Sequence, residues 1–158
     1  MKYLFVLLFV FLTSLSAQAQ NPPADLPAFK FTGLDGKPFT RESLKPGIPT
    51  IFFYFDPGCD HCQAQSKLIK AEINKFTGTQ FVFITMEEDN AKIKEFQQKY
   101  WGGVTNPSLT FTKDPMLDID KYFGRCEVPT IFVYDKNRKF KKVFRKEVPA
   151  IELSAATK

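Results

Sequence analysis

The chain has 158 residues, 44% of them apolar and 25% charged. That composition fits one soluble globular domain and excludes both a disordered chain and two domains of ordinary size. The formal charge is +5, and three cysteines are too few for a disulfide-dense mini-scaffold.

Residues 1–19 read as an export signal. Lys2 supplies the positive start, residues 3–12 form an unbroken apolar run, and Ala17-Gln18-Ala19 fits the small-x-small cleavage pattern. The run is ten residues long, against roughly 20 for a spanning helix. Cleavage is therefore expected before Gln20, leaving no stable membrane span and a periplasmic or secreted chain. In such a compartment dedicated partners, rather than a glutathione pool, hold a thiol pair oxidised or reduced.

Residues 20–27 form a polar, proline-rich lead-in to a domain spanning residues 28–158. Residues 29–40 read as a small hairpin turning at Asp35-Gly36. Residues 41–49 form a loop with one helical turn. Residues 50–55 are the strongest strand: β-branched or aromatic throughout, without alternation, as in a strand covered on both faces. Pro57-Gly58 breaks it, and from Cys59 onward Leu68, Ile69, Ile73 and Phe76 recur at helical spacing.

Residues 81–84 are a second buried-type strand, followed by an amphipathic helix over 91–100. Residues 101–108 read as a loop in which Trp101 plugs a core edge. Asp114 then caps a short helix over 116–123, with Pro115 at its first position. Residues 130–134 and 140–144 are the last two strands, and a short helix begins at Pro149-Ala150. Phe52, Phe53, Phe81, Phe83, Phe132 and Val133 are the expected core. Alternating strands and helices give an α/β layer fold with helices on both faces and two parallel crossovers.

Residues 136–146 carry seven basic side chains in eleven. They read as an edge hairpin whose lysines discourage pairing with other chains. Nucleic acid is not an expected partner, because no aromatic-basic binding motif is present.

The chemistry concentrates in Cys59-Asp60-His61-Cys62. A cysteine between a central strand and a helix start lies among free backbone N–H groups at the positive end of the helix dipole. That setting favours the thiolate that attacks disulfides. Cys62, one turn on and deeper, is placed to resolve the mixed disulfide. Zinc is the rival use of these residues. It needs four ligands, and Cys59, His61, Cys62 and Cys126 would have to supply them all, three from one helical turn. No metal and no cofactor is expected.

These features resemble the thioredoxin-fold superfamily, and within it the exported TlpA-like thiol–disulfide oxidoreductases. The resemblance rests on the strand ending in Phe55, the Cys59-Asp60-His61-Cys62 motif, the phrase Phe53-Tyr54-Phe55-Asp56-Pro57, and Val128-Pro129-Thr130 opening a later strand. It implies a central mixed sheet flanked by helices, with the N-terminal hairpin as an extension. It implies a cis Pro129 facing the cysteines, with Val128 pairing with an extended substrate. Substrates are then protein thiols or disulfides, and a redox partner resets the pair.

The chain departs from the family at three places. Gly58 replaces the usual tryptophan, and Phe53 stands where many relatives bury an acid. Asp56 stands where the peroxidase branch has threonine or serine. Asp56 is thus either a proton relay to Cys62 or a cap of its own turn. His61 favours the Cys59 thiolate and Asp60 opposes it, so both tune the potential with opposite sign. Cys126, three residues before Pro129, is either a second redox centre or a spare packed thiol. The alternatives are a peroxiredoxin-like peroxidase and a non-catalytic binding module with a structural disulfide. Copper delivery is disfavoured, because it would want a histidine far from the motif.

Overall fold

The structure, a computed structural model, describes residues 21–158 apart from Asn106. The export-signal reading of residues 1–19, and the cleavage point before Gln20, lie outside the described residues. Among those described, no helix is long and apolar enough to cross a membrane.

β3 (Thr50–Tyr54) is buried at every position. It pairs in parallel with β4 (Gln80–Thr85), which pairs in parallel with β5 (Ser108–Lys113). On its other side β3 meets β6 (Thr130–Tyr134) antiparallel, and β6 meets β7 (Phe140–Phe144) antiparallel. The N-terminal hairpin, β1 (Lys30–Gly33) and β2 (Pro38–Thr40), joins through β1 and β5, giving one seven-stranded sheet ordered β2-β1-β5-β4-β3-β6-β7. The hairpin turns at Gly36, whose φ of 81° suits glycine.

Helices α1 (Asp60–Ala71), α2 (Asn90–Trp101) and α4 (Ala150–Ala155) cover one face. The short α3 (Ile119–Phe123) covers the other. Strand alternation divides the aromatic content between two cores. Ile51, Phe53, Phe55, Phe81, Phe83, Ile131 and Val133 face α1, α2 and α4. Phe52, Tyr54, Val82, Ile84, Phe132 and Tyr134 face α3 and the N-terminal residues Leu26 and Phe29. Burying each such phenylalanine contributes about 2 kcal/mol. All six core residues expected from sequence are buried.

The proline-rich lead-in is docked. Leu26 N–H donates to Arg138 O at 2.9 Å, Phe140 N–H donates to Ala24 O at 2.8 Å, and Leu26 is buried.

Three sequence expectations need correction. β5 falls partly on the expected loop and partly on residues given no element. Its alternation of Leu109 and Phe111 with Thr110 and Thr112 is period-two, but it has only two strongly apolar positions. Thr112 is nonetheless buried, its hydroxyl donating to Phe83 O at 2.9 Å.

The short helix starts at Ile119 rather than residue 116, because Leu117 takes a φ of 56°. Asp114 still satisfies the helix start, accepting from Asp118 N–H at 3.0 Å and Ile119 N–H at 2.7 Å. Burial raises its carboxyl above the ordinary range despite these two bonds.

Leu68 is 43% exposed, so it does not belong to the inward stripe of α1. The buried positions are Cys62, Gln65, Ser66 and Ile69. Two of them are polar, and internal hydrogen bonds satisfy both.

Truncating Phe83 tests the packing. Its ring stacks on Phe111 with centroids 4.3 Å apart and meets Phe53, Phe55 and Trp101. Phe83→Ala is expected to cost about 3–5 kcal/mol in urea denaturation. Leu68→Ala is expected to cost about 0.5 kcal/mol or less. Equal losses would contradict this assignment of core and surface.

Candidate active site

Past Tyr54 the β3 ladder continues for one residue, Phe55 N–H donating to Ile84 O at 2.9 Å. The chain then turns sharply. Asp56 Oδ1 accepts from Gly58 N–H at 2.6 Å, and Asp56 O accepts from Cys59 N–H at 3.1 Å. The Asp56 carboxylate therefore caps its own turn. A Cβ at Gly58 would lie 3.2 Å from that carboxylate oxygen, a tight but adjustable approach to a side-chain end. Gln63 fastens the turn to the next helix. Its Nε2 donates to Pro57 O at 2.9 Å, and its Oε1 accepts from the Tyr100 hydroxyl at 2.7 Å.

Cys59 is the N-cap residue of α1 and is half-buried. Cys62, one turn on, is fully buried in the core cluster that Cys59 packs against. All three cysteines are free thiols. Burial pushes the Cys62 thiol far above its ordinary value; a backbone hydrogen bond from Asp56 opposes the shift, while contact with Cys59 and the Asp56 charge add to it.

Asp60 opens the helix and is exposed. His61 is also exposed, and its Nδ1 meets Glu147 Oε1 at 2.6 Å.

The Val128–Pro129 peptide bond is cis. β6 pairs Thr130 with Tyr54, and continuing that register sets Pro129 beside Phe55, next to the motif turn. Pro129 is buried and Val128 half-buried. Val128 packs against both core clusters, the one shared with Cys59 and Cys62 and the one that Cys126 joins.

Cys126 is set apart from the pair. It packs against the other core cluster, on the far side of the sheet from Cys62. Its thiol donates to Asp120 Oδ1 at 3.6 Å. Burial, then the Asp120 charge, push it up to about 12. Tyr54, on that face, is raised by burial and by the charges around Cys126, Asp120 and Asp114. Among the described residues, no group of three or more histidine, cysteine or acidic side chains is arranged to hold a metal.

Sequence reasoning missed Glu147 and Gln65. Glu147 lies 86 residues from His61, and nothing local marks it. Gln65 is fully buried; its Nε2 donates to Val148 O at 3.1 Å, and its Oε1 accepts from Val148 N–H at 2.7 Å. A polar residue on the Cys62 face of α1 was the available signal, since a buried amide needs a partner.

No protein-family model and no curated protein matches the chain. Solved structures do. A secreted Mycobacterium tuberculosis disulfide oxidoreductase homologous to E. coli DsbE matches with a TM-score of 0.66 at 22% identity, over 81% of this chain and 92% of that one. The MTB protein dsbF, in its mixed oxidized and reduced forms, matches with a TM-score of 0.68 at 25% identity, over 86% and 96%. The peroxidoxin BcpB of Mycobacterium tuberculosis matches with a TM-score of 0.68 at 17% identity, over 87% and 96%. The chain shares the thioredoxin fold of these structures.

Two measurements test this electrostatic picture. In the reduced, folded protein a thiol alkylator is expected to modify Cys59 ahead of Cys62 and Cys126, with urea erasing the difference. Equal native rates would contradict the burial of the latter two.

Stability should also respond to alkali. Folded Cys62 and Cys126 keep protons that an unfolded chain releases above the ordinary value of 9.0. The folded state then binds more protons, so stability is complete below about pH 9 and falls as pH rises toward 12. A denaturation midpoint unchanged between about pH 8 and 10.5 would oppose this.

Proposed function

We propose that the chain is an exported thiol–disulfide oxidoreductase acting on protein thiols or disulfides. The observation that carries the reading is the stacked pair: a half-exposed Cys59 at a helix N-cap over a fully buried Cys62. The export part rests on the sequence pattern of residues 1–19.

In the reducing direction the Cys59 thiolate attacks one sulfur of a substrate disulfide. A Cys59–substrate disulfide forms, and the other substrate sulfur leaves as a thiolate that takes a proton from water. Cys62 then loses its proton and attacks the Cys59 sulfur. The Cys59–Cys62 disulfide forms and the second substrate sulfur departs. Two electrons have passed from the pair to the substrate, and the reverse sequence oxidises a substrate dithiol. No cofactor is required, because the electrons move between sulfurs. A redox partner must reset the pair.

The high Cys62 thiol suits this order of events. It stays protonated while Cys59 reacts, so the exposed sulfur is the one substrates meet. Val128 and Pro129, beside the turn, are the proposed docking edge for an extended substrate. His61 and Asp60 are the proposed tuning residues.

The peroxidase reading shares the fold, as the peroxidoxin neighbour illustrates. Against it stands Asp56, occupied with Gly58 N–H. It places a carboxylate where a hydroxyl donor to the peroxide is wanted. The structural-disulfide reading gives Cys59 no reason to remain half-exposed.

An insulin-reduction assay with Cys59→Ser and Cys62→Ser tests the proposal. Cys59→Ser is expected to abolish turnover while the protein stays folded. Cys62→Ser is expected to accumulate a mixed disulfide, visible by mass spectrometry. Wild-type protein that exchanges no disulfides, yet loses stability with Cys59→Ser, would support the structural module instead. The potential of the pair gives its direction: about −120 to −180 mV marks an oxidase or isomerase, and roughly −270 mV or below a reductant.

A further inference from the structure

His61 is 75% exposed at its side chain, and its contact comes from a distant segment, Glu147, at 2.6 Å. Glu147 closes the most basic stretch of the chain, directly after Arg145 and Lys146. Arg145 is turned elsewhere, donating to Arg125 O at 2.9 Å. The backbone beside Glu147 is fixed with unusual care. Gln65, on the same helix as His61, clamps both the N–H and the C=O of Val148 from a fully buried position. One helix thus carries both the imidazole and the clamp that presents the carboxylate to it.

We propose that Glu147 is a positioning residue of the redox centre, acting through His61 on the Cys59–Cys62 potential. The inference rests on the oxidoreductase reading above. A carboxylate–imidazole hydrogen bond is strongest when the ring carries its positive charge. Where the ring is charged, the contact keeps that charge within the motif, two residues from Cys59. A Cys59 thiolate carries negative charge, and the disulfide carries none. Positive charge beside it favours the reduced pair and makes the disulfide the stronger oxidant. The Glu147 charge acting alone would do the opposite, so the two routes differ in sign.

The test is a double-substitution cycle at one fixed pH. Wild type, Glu147→Gln, His61→Ala and the double variant are equilibrated with glutathione ratios, trapped with an alkylator and read by mass spectrometry. Thermal melts check that each is folded. An exposed pair has a modest effect, so Glu147→Gln is expected to shift the equilibrium about threefold toward the disulfide, roughly 14 mV more negative. In the His61→Ala background the same substitution is expected to give no such shift. No change in either background, or an equal shift in both, overturns the proposal. So does a shift toward the dithiol, because Glu147 then acts by its own charge. Wild type that forms no Cys59–Cys62 disulfide overturns the oxidoreductase reading itself, an outcome separate from these.

Discussion

A strand apolar on both faces has to be roofed on both sides, and β3 imposes that condition on the rest of the chain. Its five residues are all buried. Phe53 faces a core shared with α1 and α2, while Phe52 faces Phe29, Phe123 and Tyr134. The parallel pairing with β4 requires a crossover, which α1 supplies. The second face is closed by the N-terminal segment and the short α3, so residues as remote as Leu26 and Phe123 share one cluster. The same strand then delivers the motif. Its ladder ends at Phe55, and four residues later Cys59 stands at the start of a helix whose next turn points into the core. Exposure of one sulfur and burial of the other follow from that geometry.

Much of this was legible, because its signals are local and strong. The two-faced strands at 50–55, 81–84 and 130–134, the hairpin turning at Asp35-Gly36 and the basic edge hairpin all fall where the pattern put them. The edge reading of residues 136–146 fits the sheet order, in which β7 is terminal and carries exposed Lys141 and Lys142. What escaped is what depends on partners remote in sequence. β5 is a strand because β4 and β1 flank it; alone, Leu109 and Phe111 make a weak alternation. The inward face of α1 was misjudged because apolar counting favours Leu68 over Gln65, and Gln65 is tolerated inside only through Val148, 83 residues away. At the site, the cysteine pair could be found from spacing and the proline from the family resemblance, but Glu147 could not.

The buried glutamine changes how the C-terminal segment should be regarded. An amide left unsatisfied in that position would cost about 1–3 kcal/mol. Its two hydrogen bonds to Val148 therefore make the chain after β7 part of the support for α1. Ser66 is satisfied within the helix by Cys62 O at 2.9 Å. The inward face of α1 thus carries a cysteine and two polar residues, and both polar side chains are paired. A uniformly apolar face would pack as well, but it would leave the segment at 145–149 with no fixed register against the motif helix.

The third cysteine shows how far location alone separates equivalent groups. Cys126 and Cys62 are both thiols raised chiefly by burial. Cys62 has Cys59 as its neighbour, so its proton can be exchanged for a bond to sulfur. Cys126 has Asp120 as its neighbour, and a carboxylate there opposes the thiolate and offers no sulfur. The sheet lies between them. Cys126 stays tied to α3 through Asp120. The loop that ends in Pro129 thus sets its cysteine beside an acid and its proline, by the β6 register, beside Phe55.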